Sequence, residues 1–181
     1  MNSKASIATR AALLFAFAFI HHPAFSQEGG PPAPGPEHAL LKRLEGQWSA
    51  KMKMGDSESA ATATYKMECG GMWLVSDFRG MMAGGPFQGR GLDGYDPAKG
   101  KYVSVWVDSW STTPLMLEGT YDKEAKKLTM TGTGPGSDGS PVKYRMLTHY
   151  KDDNHHTFTM YVTGGGGQEQ LVLTIDYQRK Q

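Results

Sequence analysis

A single cysteine, Cys69, occurs in 181 residues. An intrachain disulfide framework and a cysteine-rich zinc site are therefore excluded. Neither charge is in surplus, with 19 Lys+Arg against 18 Asp+Glu, which argues against a nucleic-acid or acidic-membrane surface, since phosphate binding needs clustered Lys and Arg. Long apolar runs are missing as well. Residues 11–20 form the longest, at 10 residues, about half of what a bilayer span requires. Helical periodicity is nearly absent, and 23 glycines are too many for a helical bundle.

The one apolar run has a specific reading. Lys4 and Arg10 precede it, and Ala24-Phe25-Ser26 follows with small residues at −3 and −1. This is the layout of a secretory signal peptide over residues 1–26, cleaved between Ser26 and Gln27. Its removal takes away two cations and no acid, so the charge of +1 becomes −1. The expected location is the periplasm or the outside of the cell, with no stable membrane anchor after cleavage. Residues 27–36 are rich in Gly and Pro and read as a disordered leader. A single domain then covers residues 37–181.

That domain opens with a short amphipathic helix, residues 37–44, with Leu40, Leu41 and Leu44 on one side. From Gly46 onward the period is two. Trp48, Ala50, Met52 and Met54 alternate with Ser49, Lys51 and Lys53; Ala61, Ala63, Tyr65, Met67 and Cys69 alternate with Thr62, Thr64, Lys66 and Glu68. The second series makes Cys69 a core residue. About ten such segments follow one another, separated by turn residues such as those at 96–100, 135–141 and 164–168. Short connections favour an antiparallel meander, and a meander of this length avoids exposed edges by closing. The expected fold is all-β: an up-and-down antiparallel barrel of about ten strands, lipocalin-like, with the short helix capping one end.

Two sets of residues carry a family resemblance. Gly46-Gln47-Trp48, after a short helix and at the head of the first strand, resembles the G-x-W signature of lipocalin/calycin-type barrels, in which the Trp packs across the closed end. More of the chain resembles the uncharacterised DUF1579 family. The matching residues are Glu37-His38, Leu41, Leu44, Gly46 and Trp48, then Phe87, Gly89, Gly91 and Gly94-Tyr95-Asp96, then Lys101-Tyr102, Asp108-Ser109, Ser111-Thr112 and Gly119. The resemblance implies a barrel-like domain and supplies no catalytic residue. The related nitrobindin-like barrels bind haem through a His, and their opening motif has further glycines after the Trp. Here Ser49-Ala50-Lys51-Met52 stands instead. No cofactor is expected.

Chemistry-bearing residues are sparse. Gly89-x-Gly91-x-x-Gly94 matches a dinucleotide pattern in letters only, because no helix follows to receive a phosphate. His155 and His156 are adjacent in a strand and face opposite sides. A cross-strand His149–His155 pair with Asp153 or Asp176 is the one zinc-type arrangement the spacing allows. Asp108 beside Ser109 lacks the nucleophile-elbow pattern and reads as turn chemistry. Lys101–Asp108 alternates Tyr102, Ser104, Trp106 and Asp108 against Val103, Val105 and Val107, and either face could point inward.

These observations favour an exported protein that binds a small, partly apolar ligand inside a barrel. Candidate lining residues are Trp48, Met52, Tyr65, Tyr95, Trp106 and Tyr144. Arg79 is the candidate anchor for an anionic group, with Asp77 and Arg90 pairing beside it inside the cavity. Two alternatives stand beside this reading. One is a metal- or acid/base-dependent enzyme using His149, His155 or Asp108. The other is a structural or interaction protein of the cell envelope, with a filled barrel and an apolar outer patch around Val103, Val105 and Val107.

Overall fold

In the computed structural model, Gly30 and residues 32–181 are described. The signal-peptide reading and leader residues 27–29 and 31 fall outside these residues. The chain divides into two units, and the second, Ala33–Gln181, is the barrel.

Its elements run in the expected order. Helix α1 (His38–Lys42) leads into strands β1 (Gly46–Met54), β2 (Ser57–Glu68), β3 (Trp73–Met82), β4 (Gly85–Asp96) and β5 (Lys101–Asp108). Strands β6 (Leu115–Asp122), β7 (Lys127–Pro135), β8 (Pro141–Tyr150), β9 (His155–Thr163) and β10 (Glu169–Arg179) complete the meander. Every strand pairs antiparallel with its sequence neighbour, and β1 pairs with β10 to close the barrel. Closure satisfies the backbone groups that an open meander would leave along both edges.

Register decides which residues face inward. Trp48 lies opposite Ala63 and Arg179, and Ala50 opposite Ala61 and Tyr177, so the apolar series of β1 and β2 faces the interior. One bulge is needed to keep this pattern. Between Leu171 and Leu173 the β9–β10 register shifts by a residue, which turns Leu173, Ile175 and Tyr177 inward while Leu171 stays outside at 60% exposure.

Strand β2 ends before Cys69, which corrects the expectation of a core cysteine. The chain takes left-handed conformations at Cys69, Gly70 and Gly71 to make the tight reversal into β3, and Cys69 is exposed.

One end of the barrel is plugged. Trp48 is 1% exposed, and its indole N–H donates to the Leu44 carbonyl at 2.8 Å. The Arg179 guanidinium lies 4.3 Å over its ring and donates to the backbone carbonyls of Arg43, Glu45 and Asp153. Helix α1 buries Leu40 and Leu41 against this end. The Tyr102 hydroxyl donates to the Glu37 carbonyl. Pro36 and Glu37 form the turn that enters α1, and the Gly35 N–H donates to His38 Nδ1.

Candidate functional site

The opposite half of the barrel is built differently. Inward residues there and at mid-depth keep part of their surface accessible: Trp106, Tyr144, Met146, Phe158 and Met160 are all half-buried while packing against the core. Strand β5 resolves the two-faced pattern. Tyr102, Ser104, Trp106 and Asp108 lie opposite Tyr95, Asp93, Gly91 and Gly89 and point inward. Val103, Val105 and Val107 face out, with Val107 47% exposed.

Two glycines make room for the central aromatic. A Cβ added at Gly89 would lie 2.2 Å from Trp106 Cζ2, and one at Gly91 would lie 3.4 Å from Trp106 Cε3. The indole thus lies flat against β4 instead of projecting across the lumen. Its N–H donates to Asp108 Oδ2 at 2.8 Å. Asp108 Oδ1 accepts the Trp110 backbone N–H at 2.8 Å, which ties the loop after β5 to the rim. Trp110, 54% exposed, meets Phe87 edge-on at 5.5 Å, and Phe87 meets Phe78 at 6.0 Å. The Tyr144 hydroxyl donates to the Pro135 carbonyl.

Asp93 lies deeper on the same strand as the two glycines. It is enclosed by the barrel yet keeps part of its surface toward the lumen. A Cβ at Gly91 would sit 2.4 Å from Ser76 Oγ and 3.7 Å from Asp93 Oδ2, so the absence of a side chain lets a hydroxyl, a carboxylate and the Trp106 face converge over the β4 backbone. Burial raises the Asp93 pKa to about 6, and a hydrogen bond from Ser104 opposes that rise.

Near the plugged end sit Tyr65, Tyr150, His156 and Tyr177. His156 is 3% exposed. It stacks on Tyr177 at 4.3 Å and meets Trp48 edge-on at 4.5 Å, and its Nδ1 has no hydrogen-bond partner among the described residues. Burial, aided by Arg179, lowers its pKa to about 3, so it is a neutral ring. Burial likewise raises the phenols of Tyr65, Tyr150 and Tyr177.

The expected lining residues separate into three groups. Trp106 and Tyr144 border the lumen, and Tyr65 faces it from deeper in the barrel. Trp48 and Met52 point inward but are packed away at 1% and 3% exposure. Tyr95 belongs to the capped end, edge-on to Tyr102 and His38. Arg79 corrects the expectation of an internal cationic anchor. It lies opposite Thr62 and Gln88 on the outer face and pairs there with Asp77, which also takes Arg90. Phe78, its neighbour, holds the inward position, and two adjacent strand residues cannot share a face.

The metal-like arrangement is also corrected. His149 lies opposite Thr157, because Tyr150 pairs with His156 across the turn. His155 Nδ1 bonds Asp152, Asp153 pairs with Arg43, and Asp176 accepts from Thr157 and pairs with Lys151. Among the described residues no group of three His, Cys, Asp or Glu side chains could hold a metal ion.

Sequence reasoning missed Asp93, Ser104 and Trp110. A signal for Asp93 existed: Gly89, Gly91 and Asp93 share one face of β4 at period two.

Comparison with known proteins agrees with this architecture. The model of a family described as "Protein of unknown function (DUF1579)" matches residues 33–179, and the chain belongs to that family. No curated protein matches it. Among solved structures, Rv2717c from M. tuberculosis is similar at 17% identity and a TM-score of 0.58, over 81% of this chain and 99% of that one. A redesigned β-barrel, b11L5F_LGL, is similar at 14% identity and a TM-score of 0.43, over 78% and 96% of the two chains. Another, mFAP1 bound to DFHBI, is similar at 18% identity and a TM-score of 0.42, over 77% and 98%.

Proposed function

We propose that this member of the DUF1579 family is an exported binding protein that takes a small, partly apolar molecule into its barrel. One observation carries the reading: Trp106 is held flat on Gly89 and Gly91, and the inward residues at mid-depth stay only half-buried although they touch the core. A barrel built only for stability gains by burying them fully, because side chains in cores lose contacts wherever a void remains. The lining suits such a molecule. Phe158, Met146 and Met160 offer adaptable apolar contact, while Trp106 and Tyr65 add broad aromatic surface.

Two measurements test it. Calorimetric titration with a neutral aromatic probe, 2-naphthylmethanol, is expected to give saturable one-to-one binding, lost when Gly91→Leu displaces Ser76 and Trp106 into the lumen. Absence of binding to the wild-type protein refutes the proposal. Export is checked separately, by N-terminal sequencing of the protein recovered outside the cytoplasm, where Gln27 is the expected first residue.

A further inference from the structure

The registers assign every inward position of the ten strands, and the charges among them are unbalanced. Arg79 and Arg90 point outward to Asp77, Lys99 and Lys101 to Glu118, and Arg145 to Glu169. Arg179 is the inward-facing cation among the described strand residues. It sits at the plugged end, where it stacks on Trp48 and donates to three backbone carbonyls. Beyond the plug, no Lys or Arg holds an inward strand position among the described residues.

Two carboxylates do face the lumen, and they are not equivalent. Asp108 is engaged on both oxygens: one accepts from the Trp106 indole and the other from the Trp110 backbone. Asp93 has one side-chain partner, Ser104. A carboxylate has about four acceptor sites, so most of the capacity of Asp93 is unused by the protein. It forms no ion pair among the described residues. Over Gly91, Ser76 Oγ and the π-face of Trp106 come close beside it, and that ring face also attracts a cation. A buried, unpaired carboxylate is costly unless something compensates it, and here the protein does not.

We infer that the barrel selects ligands carrying a cationic hydrogen-bond donor, a primary ammonium or amidinium group on a compact apolar body, with the donor on Asp93 and the body against Trp106 and the methionines. This rests on the binding reading above and specifies the ligand's charge, opposite in sign to what an inward Arg79 would have required. An ammonium supplies three donors, enough for Asp93 and a neighbouring hydroxyl.

The test is calorimetric titration with three probes that share one ring system: 2-naphthylmethylamine, 2-naphthylmethanol and 2-naphthoate, at pH 7.5. The amine is expected to bind about tenfold or more tighter than the alcohol, with the carboxylate weakest, as a charge-assisted pair in a shielded site requires. Asp93→Asn should bring the amine down to the alcohol's affinity and leave the alcohol unchanged, whereas Asp108→Asn should preserve the preference. Binding of the alcohol or the carboxylate as tight as that of the amine overturns the inference and leaves the binding reading intact. A preference that survives Asp93→Asn also overturns it. Failure of all three probes refutes the binding reading itself. The wild-type ranking needs no variant, so it stands as a test even if Asp93→Asn does not fold.

Discussion

Asp93→Asn offers the sharpest physical test of the interior, because its effect on stability must change with pH in a defined sense. In the folded barrel the carboxyl titrates near 6, against 3.8 for an ordinary aspartate, with burial as the main cause. The folded state therefore holds the proton more tightly than the unfolded chain. Below pH 3.8 both states are protonated and Asp93 contributes nothing. Between 3.8 and about 6 the unfolded chain ionises first and is favoured, and above 6 the whole penalty is present. The gap of 2.2 corresponds to about 3 kcal/mol at roughly 1.4 kcal/mol per pH unit.

The Asn variant keeps an oxygen to accept from Ser104 and carries no charge. It should thus be about 3 kcal/mol more stable than wild type at pH 8, and under about 1 kcal/mol more stable at pH 4. For a domain of this size that is a rise in Tm of about 6–12 °C at pH 8. Urea unfolding followed by tryptophan fluorescence at the two pH values measures both differences. Tyr65 and Tyr150 are the titratable groups coupled to Asp93. Burial raises both well above their usual range, so they stay neutral throughout. A variant less stable than wild type at pH 8, or a gain equal at both pH values, would refute the account of Asp93 as an uncompensated buried carboxylate. Such a cost fits a residue kept for binding, since binding sites retain groups that stability alone would discard.

Other substitutions probe separate parts of the barrel. His156→Phe should remove acid sensitivity: the unfolded His takes a proton below about 6.5 while the buried ring resists until about 3, so wild type loses stability as pH falls through that window. The variant's relative gain should reach about 3 kcal/mol at pH 4 in urea melts, and no difference between pH 4 and pH 8 counts against it. Trp48→Ala should cost about 3–5 kcal/mol or leave the chain unfolded, because Arg179 and His156 both pack on that ring; circular dichroism melts measure the loss. Gly89→Ala places a methyl 2.2 Å from Trp106 and should drive the indole into the lumen. It should cost about 1–3 kcal/mol and weaken binding of 2-naphthylmethanol, whereas unchanged binding would show that the flat indole does not open the site. Arg79→Ala, on the exposed pair with Asp77, should leave both the urea midpoint and probe binding essentially unchanged, because a solvent-exposed ion pair contributes little.

Period-two alternation, turn residues and the shortage of helical pattern were sufficient to read an antiparallel meander of ten strands from the chain. The resemblance of G-x-W after a short helix to lipocalin-type barrels implied a Trp across the closed end, and Trp48 lies there. These features are local: each depends on a residue and its neighbours two positions away. What the chain could not show is which face of a strand meets the interior when both faces are partly apolar. Strand β5 presents three valines on one side and Tyr102, Trp106 and two polar residues on the other, and hydrophobicity alone favours the valines. Register with β4 turned the valines outward, because only Gly89 and Gly91 leave space for the Trp106 ring. The same dependence moved Arg79 outside, separated His149 from His155 and put Cys69 on the surface. Asp93 is the clearest case. Its isolation from the cations among the described residues follows from the register of ten strands closing on themselves, and no local pattern encodes the absence of a distant partner.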